Sequence, residues 1–207
     1  MPSRSHESLS PRSRPQRRGL IEAEPARQTA LIILDMISDW RFPDADALLR
    51  RTARVAPTIA RLKERCTQAG IPVIYANDNS GQWRSDFKFV VRQSLEGLGK
   101  GAAITRQLEP GPDDFFVLKP KHSAFMATPL ELLLDHLKTR RLLLTGVAAD
   151  QCIVATAADA RMRDFEVVVP SDAVAAQTAA RERRALLQLS ESLCVQTVEA
   201  SHLALQS

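Results

Sequence analysis

The sequence predicts a three-layer α/β fold, a parallel, doubly wound β-sheet covered by helices on both faces. Three observations carry that expectation. Short apolar runs at 31–34, 72–75, 115–118, 142–144, 167–169 and 193–198 recur along the chain, with longer helical stretches between them. Most of these runs are continuously apolar instead of alternating, the pattern of strands buried on both faces. Repeated alternation of strand and helix is the signature of parallel strands joined by right-handed crossovers. With 207 residues, 44% of them apolar, the chain can bury a single core.

That domain is expected over residues 29–207. Residues 1–28 are rich in Ser, Pro, Arg and Gln and poor in large apolar side chains, so they read as a disordered basic extension. An organelle transit peptide is the weaker alternative, because Pro2, Pro11 and Pro15 interrupt an amphipathic helix. The formal net charge of +4 resides in residues 1–20, with Arg4, Arg12, Arg14, Arg17 and Arg18 against Glu7. The remaining body is neutral and gives no sign of a nucleic-acid surface. Cys66, Cys152 and Cys194 form no metal-binding cluster and, without a secretory signal, read as reduced thiols of a cytoplasmic protein. No apolar run approaches the roughly 20 residues that cross a membrane.

Helices are expected over 45–69, within 87–108, and over 129–138, 151–163 and 179–189. Gly70 should stop the first, and Pro57 should kink it or start a new one. Thr128-Pro129-Leu130-Glu131 reads as a capping box with proline at the first helical position. Asp150 is a natural N-cap, which places Cys152 in the first turn of the next helix.

In open parallel sheets, ligands bind beyond the carboxyl ends of the strands. Asp35 follows the first strand, Lys119 ends the third, and Cys152 follows the fourth within Gly146-Val147-Ala148-Ala149-Asp150-Gln151-Cys152. A thiol at a helix start feels free N–H groups and the positive end of the helix dipole, both favouring thiolate. Each residue also has a plainer role. Cys152 can be a buried structural cysteine like Cys66 and Cys194, Asp35 a turn cap, and Lys119 a solvated charge. Their joint placement at one rim shifts the balance toward a nucleophilic site.

The blocks 29–35, 119–125 (Lys-Pro-Lys-His-Ser-Ala-Phe) and 146–154 resemble, in type, order and spacing, the three signatures of isochorismatase-like cysteine hydrolases. The resemblance extends from Thr29 to about Val198, with Ile153 where the signature has Val. It implies a six-stranded sheet in the order 3-2-1-4-5-6 and a triad of Cys152 as nucleophile, Asp35 as base and Lys119 beside them. It also implies a cis peptide at Val147–Ala148, an oxyanion hole from the N–H groups of Ala148 and Cys152, and a homodimer or homotetramer. In that order strand three is not next to strand one, so Lys119 must reach inward.

Departures from the family narrow the chemistry. Metal-dependent nicotinamidases of this superfamily carry an Asp-x-His pair after strand two. Here that stretch is Ala76-Asn77-Asp78-Asn79-Ser80-Gly81-Gln82-Trp83, without histidine, and His6, His122, His136 and His202 lack ligand spacing. Neither metal nor cofactor is expected. Ile37 stands where the family commonly has Gln. Asn77, Trp83, His122 and Phe125 are candidate substrate contacts, Trp83 equally a lid or interface residue. Lys121 and Arg84 can clamp a carboxylate or simply be solvated, and Trp40 and Phe42 line the pocket or pack the loop. The expected reaction on a small molecule is hydrolysis of an amide, ureide or carbamoyl C–N bond through a thioester. The alternatives are vinyl-ether hydrolysis of the isochorismatase type, releasing pyruvate, and a non-catalytic thiol or binding module.

Overall fold

The computed structural model describes residues 28–79, 81, 83, 86–96 and 100–205. Arg84 and the basic extension up to residue 27 lie outside the described residues. At the centre runs β1 (Thr29–Leu34), buried along its whole length. It pairs in parallel with β2 (Val73–Asp78) on one side and β4 (Arg141–Val147) on the other. Beyond β2 lies β3 (Phe115–Lys119); beyond β4 lie β5 (Glu166–Pro170) and then β7 (Gln196–Val198). The order β3-β2-β1-β4-β5-β7 is the expected one with an addition, because the two-residue β6 (Val174–Ala175) pairs with the end of β4. The expected sixth strand is therefore the seventh; two residues are too few to leave a pattern in sequence.

Alternate side chains of the sheet feed two cores. Leu31, Ile33, Tyr75 and Leu143 pack in one with residues of α1 (Ala45–Gln68). Ala30, Ile32, Ile74 and Leu144 pack in the other with residues of α4 (Leu130–His136) and α5 (Val154–Arg161). Helix α1 continues through Pro57, which therefore does not start a new helix. Its buried stripe Leu48, Thr52, Ala56, Ile59, Leu62 and Cys66 spans the proline, so packing holds the helix where a backbone hydrogen bond is lost. Gly70 adopts φ 69° at the stop, as its position in the sequence suggests.

The segment expected within 87–108 is two helices, α2 (Phe87–Glu96) and α3 (Lys100–Gln107). The capping box before α4 does not form. Thr128 Oγ1 accepts from Leu130 N at 3.2 Å and donates to the Ala124 carbonyl, while Glu131 pairs with Arg163 at 3.0 Å. Thr128 thus still serves the helix start, and it is Glu131, drawn off by Arg163, that leaves the box incomplete. The last helix, α6 (Ala179–Leu187), is capped by Thr178, whose hydroxyl accepts from Arg181 N at 3.2 Å.

Candidate active site

The carboxyl edge of the sheet gathers three reactive side chains. Chain leaving β1 turns sharply at Asp35, which takes φ 53°. Its Oδ1 accepts from the Asp78 N–H at 2.7 Å, and its Oδ2 lies 2.8 Å from Lys119 Nζ. Lys119 belongs to β3, with β2 between it and Asp35; its register partner on β2 is Asp78. The lysine chain, fully buried, crosses that strand to reach the carboxylate. Its Nζ also lies 3.4 Å from Cys152 Sγ and 3.3 Å from the Lys121 carbonyl oxygen.

Cys152 enters from the strand on the other side of β1. Gly146, near the end of β4, has φ 107°, and a Cβ there would lie 2.1 Å from the Leu34 carbonyl oxygen. The Val147–Ala148 peptide is cis. The Ala148 carbonyl then accepts from Gln151 N at 3.1 Å and Ile153 N at 3.2 Å. These bonds close a turn of π-helix over Ala149–Ile153 that carries Cys152. Ala148, not Asp150, occupies the cap position; Asp150 makes no cap hydrogen bond. Its Oδ2 accepts instead from Arg181 Nε at 2.5 Å, tying the turn to α6. The long-range arginine offers a charged partner, which a backbone N–H does not match.

Burial pushes the Asp35 carboxyl above its ordinary range even though Lys119 pulls it down. Burial also opposes the Lys119 charge, but the Asp35 carboxylate outweighs it and holds the ammonium above its ordinary value. The Cys152 thiol is pushed up to about 12, first by burial and then by the Asp35 charge, with Lys119 opposing. The thiol is thus held toward its protonated form, which leaves its proton for Asp35 to take. A protonated thiol beside a carboxylate and a fixed ammonium can pass its proton to the carboxylate while the ammonium steadies the sulfur charge.

Of the four candidate substrate contacts, His122 meets this cluster, its Nδ1 lying 3.6 Å from Cys152 Sγ. Asn77 is buried and donates its amide to the Ile37 carbonyl at 2.7 Å, holding the loop after β1. Phe125 is 6% exposed and belongs to the core, 6.0 Å from the Phe165 ring and 4.9 Å beneath the Arg163 guanidinium. Trp83 is 80% exposed, and Lys121 is exposed as well. Trp40 is buried and packs the loop against Phe42 and Gly101, where a Cβ would lie 2.3 Å from the indole. The sequence reading missed the Asp78 N–H, the Arg181 clamp and the His122 contact with sulfur. Only His122 left a usable signal, lying three residues after Lys119 in one signature block. Among the described residues, no group of three or more His, Cys, Asp or Glu side chains could hold a metal ion. No helix among them is long and apolar enough to cross a membrane.

Comparison with known proteins agrees with this architecture. Residues 29–200 match the model of the isochorismatase domain. The chain is 37% identical over 149 residues to the uncharacterized isochorismatase family protein YaaI of Bacillus subtilis, covering 72% of this chain and 81% of that one. It is 24% identical to N-carbamoylsarcosine amidase of an Arthrobacter species, over 70% of this chain and 58% of the amidase's length. The crystal structure of an isochorismatase family protein from Desulfovibrio vulgaris superposes with a TM-score of 0.69 at 28% identity, covering 84% of this chain and 95% of the other. By sequence and by fold, the chain belongs to the isochorismatase family of hydrolases.

Proposed function

We propose that the protein is a cysteine hydrolase that cleaves the C–N bond of a small amide, ureide or carbamoyl compound through a thioester, without a metal or cofactor. The observation that carries this reading is Lys119 Nζ, within 2.8 Å of Asp35 and 3.4 Å of the Cys152 sulfur. Asp35 takes the thiol proton as sulfur attacks the carbonyl carbon. The N–H groups of Ala148 and Cys152 hold the oxyanion, each contributing on the order of 3 kcal/mol. As the C–N bond breaks, Asp35 returns its proton to the leaving nitrogen. Water then attacks the thioester carbon and releases the acid. Lys119 orients Asp35 and favours its ionised form against burial between cycles. Likeness to N-carbamoylsarcosine amidase supports the choice of a C–N bond. The working form is read as a cytoplasmic homodimer or homotetramer, to which exposed Trp83, Phe116 and Met126 offer apolar surface.

The family's name favours a second reading, vinyl-ether hydrolysis, in which a proton donor is needed and the thiol is not. A panel of small amides, ureides and isochorismate, assayed for ammonia or pyruvate, separates the two when run on wild type and Cys152→Ala. The expected result is ammonia release that falls about 10⁴-fold or more in the variant, with an acyl adduct on wild type by intact mass. Pyruvate release that survives the substitution selects the second reading. An adduct with no turnover on any substrate leaves a non-catalytic thiol or binding module.

A further inference from the structure

The reaction described above leaves one neighbour of the sulfur without a task. His122 Nδ1 lies 3.6 Å from Cys152 Sγ. His122 is an exposed residue whereas the cysteine is only 7% exposed, so His122 stands between solvent and the sulfur. It does not wander there on a loose loop. Lys119 Nζ holds the Lys121 carbonyl at 3.3 Å, and Thr156 Oγ1 of α5 accepts from Ala124 N at 3.1 Å. The Ser123 hydroxyl donates to Asp159 and accepts from Phe125 N at 3.2 Å. The segment that carries the imidazole is thus pinned on both sides of it.

The two halves of a thioester mechanism make different demands. In the first, a proton moves from sulfur to the leaving nitrogen, and Asp35 serves both ends. In the second, a proton must leave water and arrive on sulfur. His122 Nδ1, 3.6 Å from Sγ, stands beside the atom on which that proton must arrive. The departing sulfur also needs a proton, since this site holds its thiol up to about 12 and makes the bare thiolate a poor leaving group. An imidazole can both accept and donate a proton near neutral pH.

We propose that His122 is a second catalytic acid–base residue, dedicated to hydrolysis of the thioester; the proposal rests on the thioester reading above. Neutral His122 takes a proton from water as the water oxygen bonds to the acyl carbon. It gives a proton to Sγ as the C–S bond breaks, so water and thioester become acid and thiol with imidazole restored. Asp35 governs acylation and His122 governs deacylation.

Pre-steady-state hydrolysis of p-nitrophenyl acetate by the full-length protein tests this division without knowledge of the natural substrate. The Cys152→Ala signal is subtracted, since it carries any reaction of exposed Cys194. Wild type should show a burst of about one nitrophenolate per site and then steady turnover. His122→Gln should keep the burst, slow the later phase about 100-fold and accumulate acetyl-protein by intact mass. His122→Gly should behave likewise and regain the later phase with 2-methylimidazole, a base too hindered to act as an acyl acceptor. Deacylation at the wild-type rate in His122→Gln, or loss of its burst, would overturn the role. So would failure of rescue in His122→Gly. A wild-type burst that is absent, or equal in Cys152→Ala, overturns the thioester reading itself and the proposal with it.

Discussion

At Gly146 the end of β4 comes so near β1 that a side chain has nowhere to go. A Cβ would meet the Leu34 carbonyl oxygen at 2.1 Å and its nitrogen at 2.8 Å, and φ is 107°. That close approach sets the turn carrying Cys152 beside Asp35. Gly70 has a positive φ of 69° as well, but a Cβ there meets nothing within 4 Å. The two glycines therefore separate conformational strain from collision. Gly70→Ala is expected to cost about 1 kcal/mol, the price of a left-handed alanine. Gly146→Ala should cost about 3 kcal/mol or more, because backbone rather than a mobile side chain must give way. Urea midpoints of the two variants check the ordering, and equal losses would refute the collision argument. The same scale explains which site residues were legible in sequence. Asp35 and Lys119 each terminate an apolar run, where a charge is conspicuous. Arg181 lies 31 residues from Asp150 on a helix of mixed charge, and nothing local marks it as a clamp.

Elements decide where these residues meet, and the longer ones were readable. β1 and β4 are built around the apolar runs at 31–34 and 142–144, and nearly every residue of both is buried. What escaped was short or locally ambiguous. β6 has two residues, and the turn before α5 is a π-helix whose i→i−5 closure leaves no periodic pattern. Helix starts misled for a different reason, since Glu131 and Asp150 found arginine partners in place of backbone N–H groups at their own helix starts, while Thr128 still accepts from Leu130 N. The end of β2 bears on chemistry. It runs through Asn77, Asp78 and Asn79; Asn77 is bonded to Ile37, and the Asn79 Oδ1 accepts from Gly81 N at 2.9 Å. Asn77 and Asn79 are thus engaged with loop backbone, Asp78 lies within the field of Lys119, and no histidine is near in sequence. Activity should survive exhaustive chelation, with no stoichiometric zinc or iron by elemental analysis. A stoichiometric metal lost together with activity would reverse this conclusion.

On the scale of the whole molecule, one sheet between two cores leaves several titratable groups far from water, and their protons couple stability to pH. Cys66, within the core on the α1 face, is pushed by burial up to about 12 from its ordinary 9.0, and Cys152 to about 12 by burial and Asp35. Burial lifts the Tyr75 hydroxyl as well. The sign follows from proton counting. Above pH 9 the unfolded chain releases thiol protons that the folded chain keeps, so the unfolded state is favoured by each further rise. Stability contributed by these neutral thiols is complete below about pH 9 and is lost as pH climbs toward 12. Lys119 adds to the same trend, because its folded value is also raised and its charge stabilises the fold until it deprotonates. Cys66 is the cleanest place to test the linkage, since it lies outside the reactive cluster. Cys66→Ala should lose about 1–2 kcal/mol at neutral pH through the small cavity it leaves. Between about pH 9 and 11, however, its urea midpoint should fall less steeply than that of wild type, by close to one proton in the linkage slope. Parallel midpoint curves for the two proteins would mean that the Cys66 thiol ionises as readily in the fold as out of it.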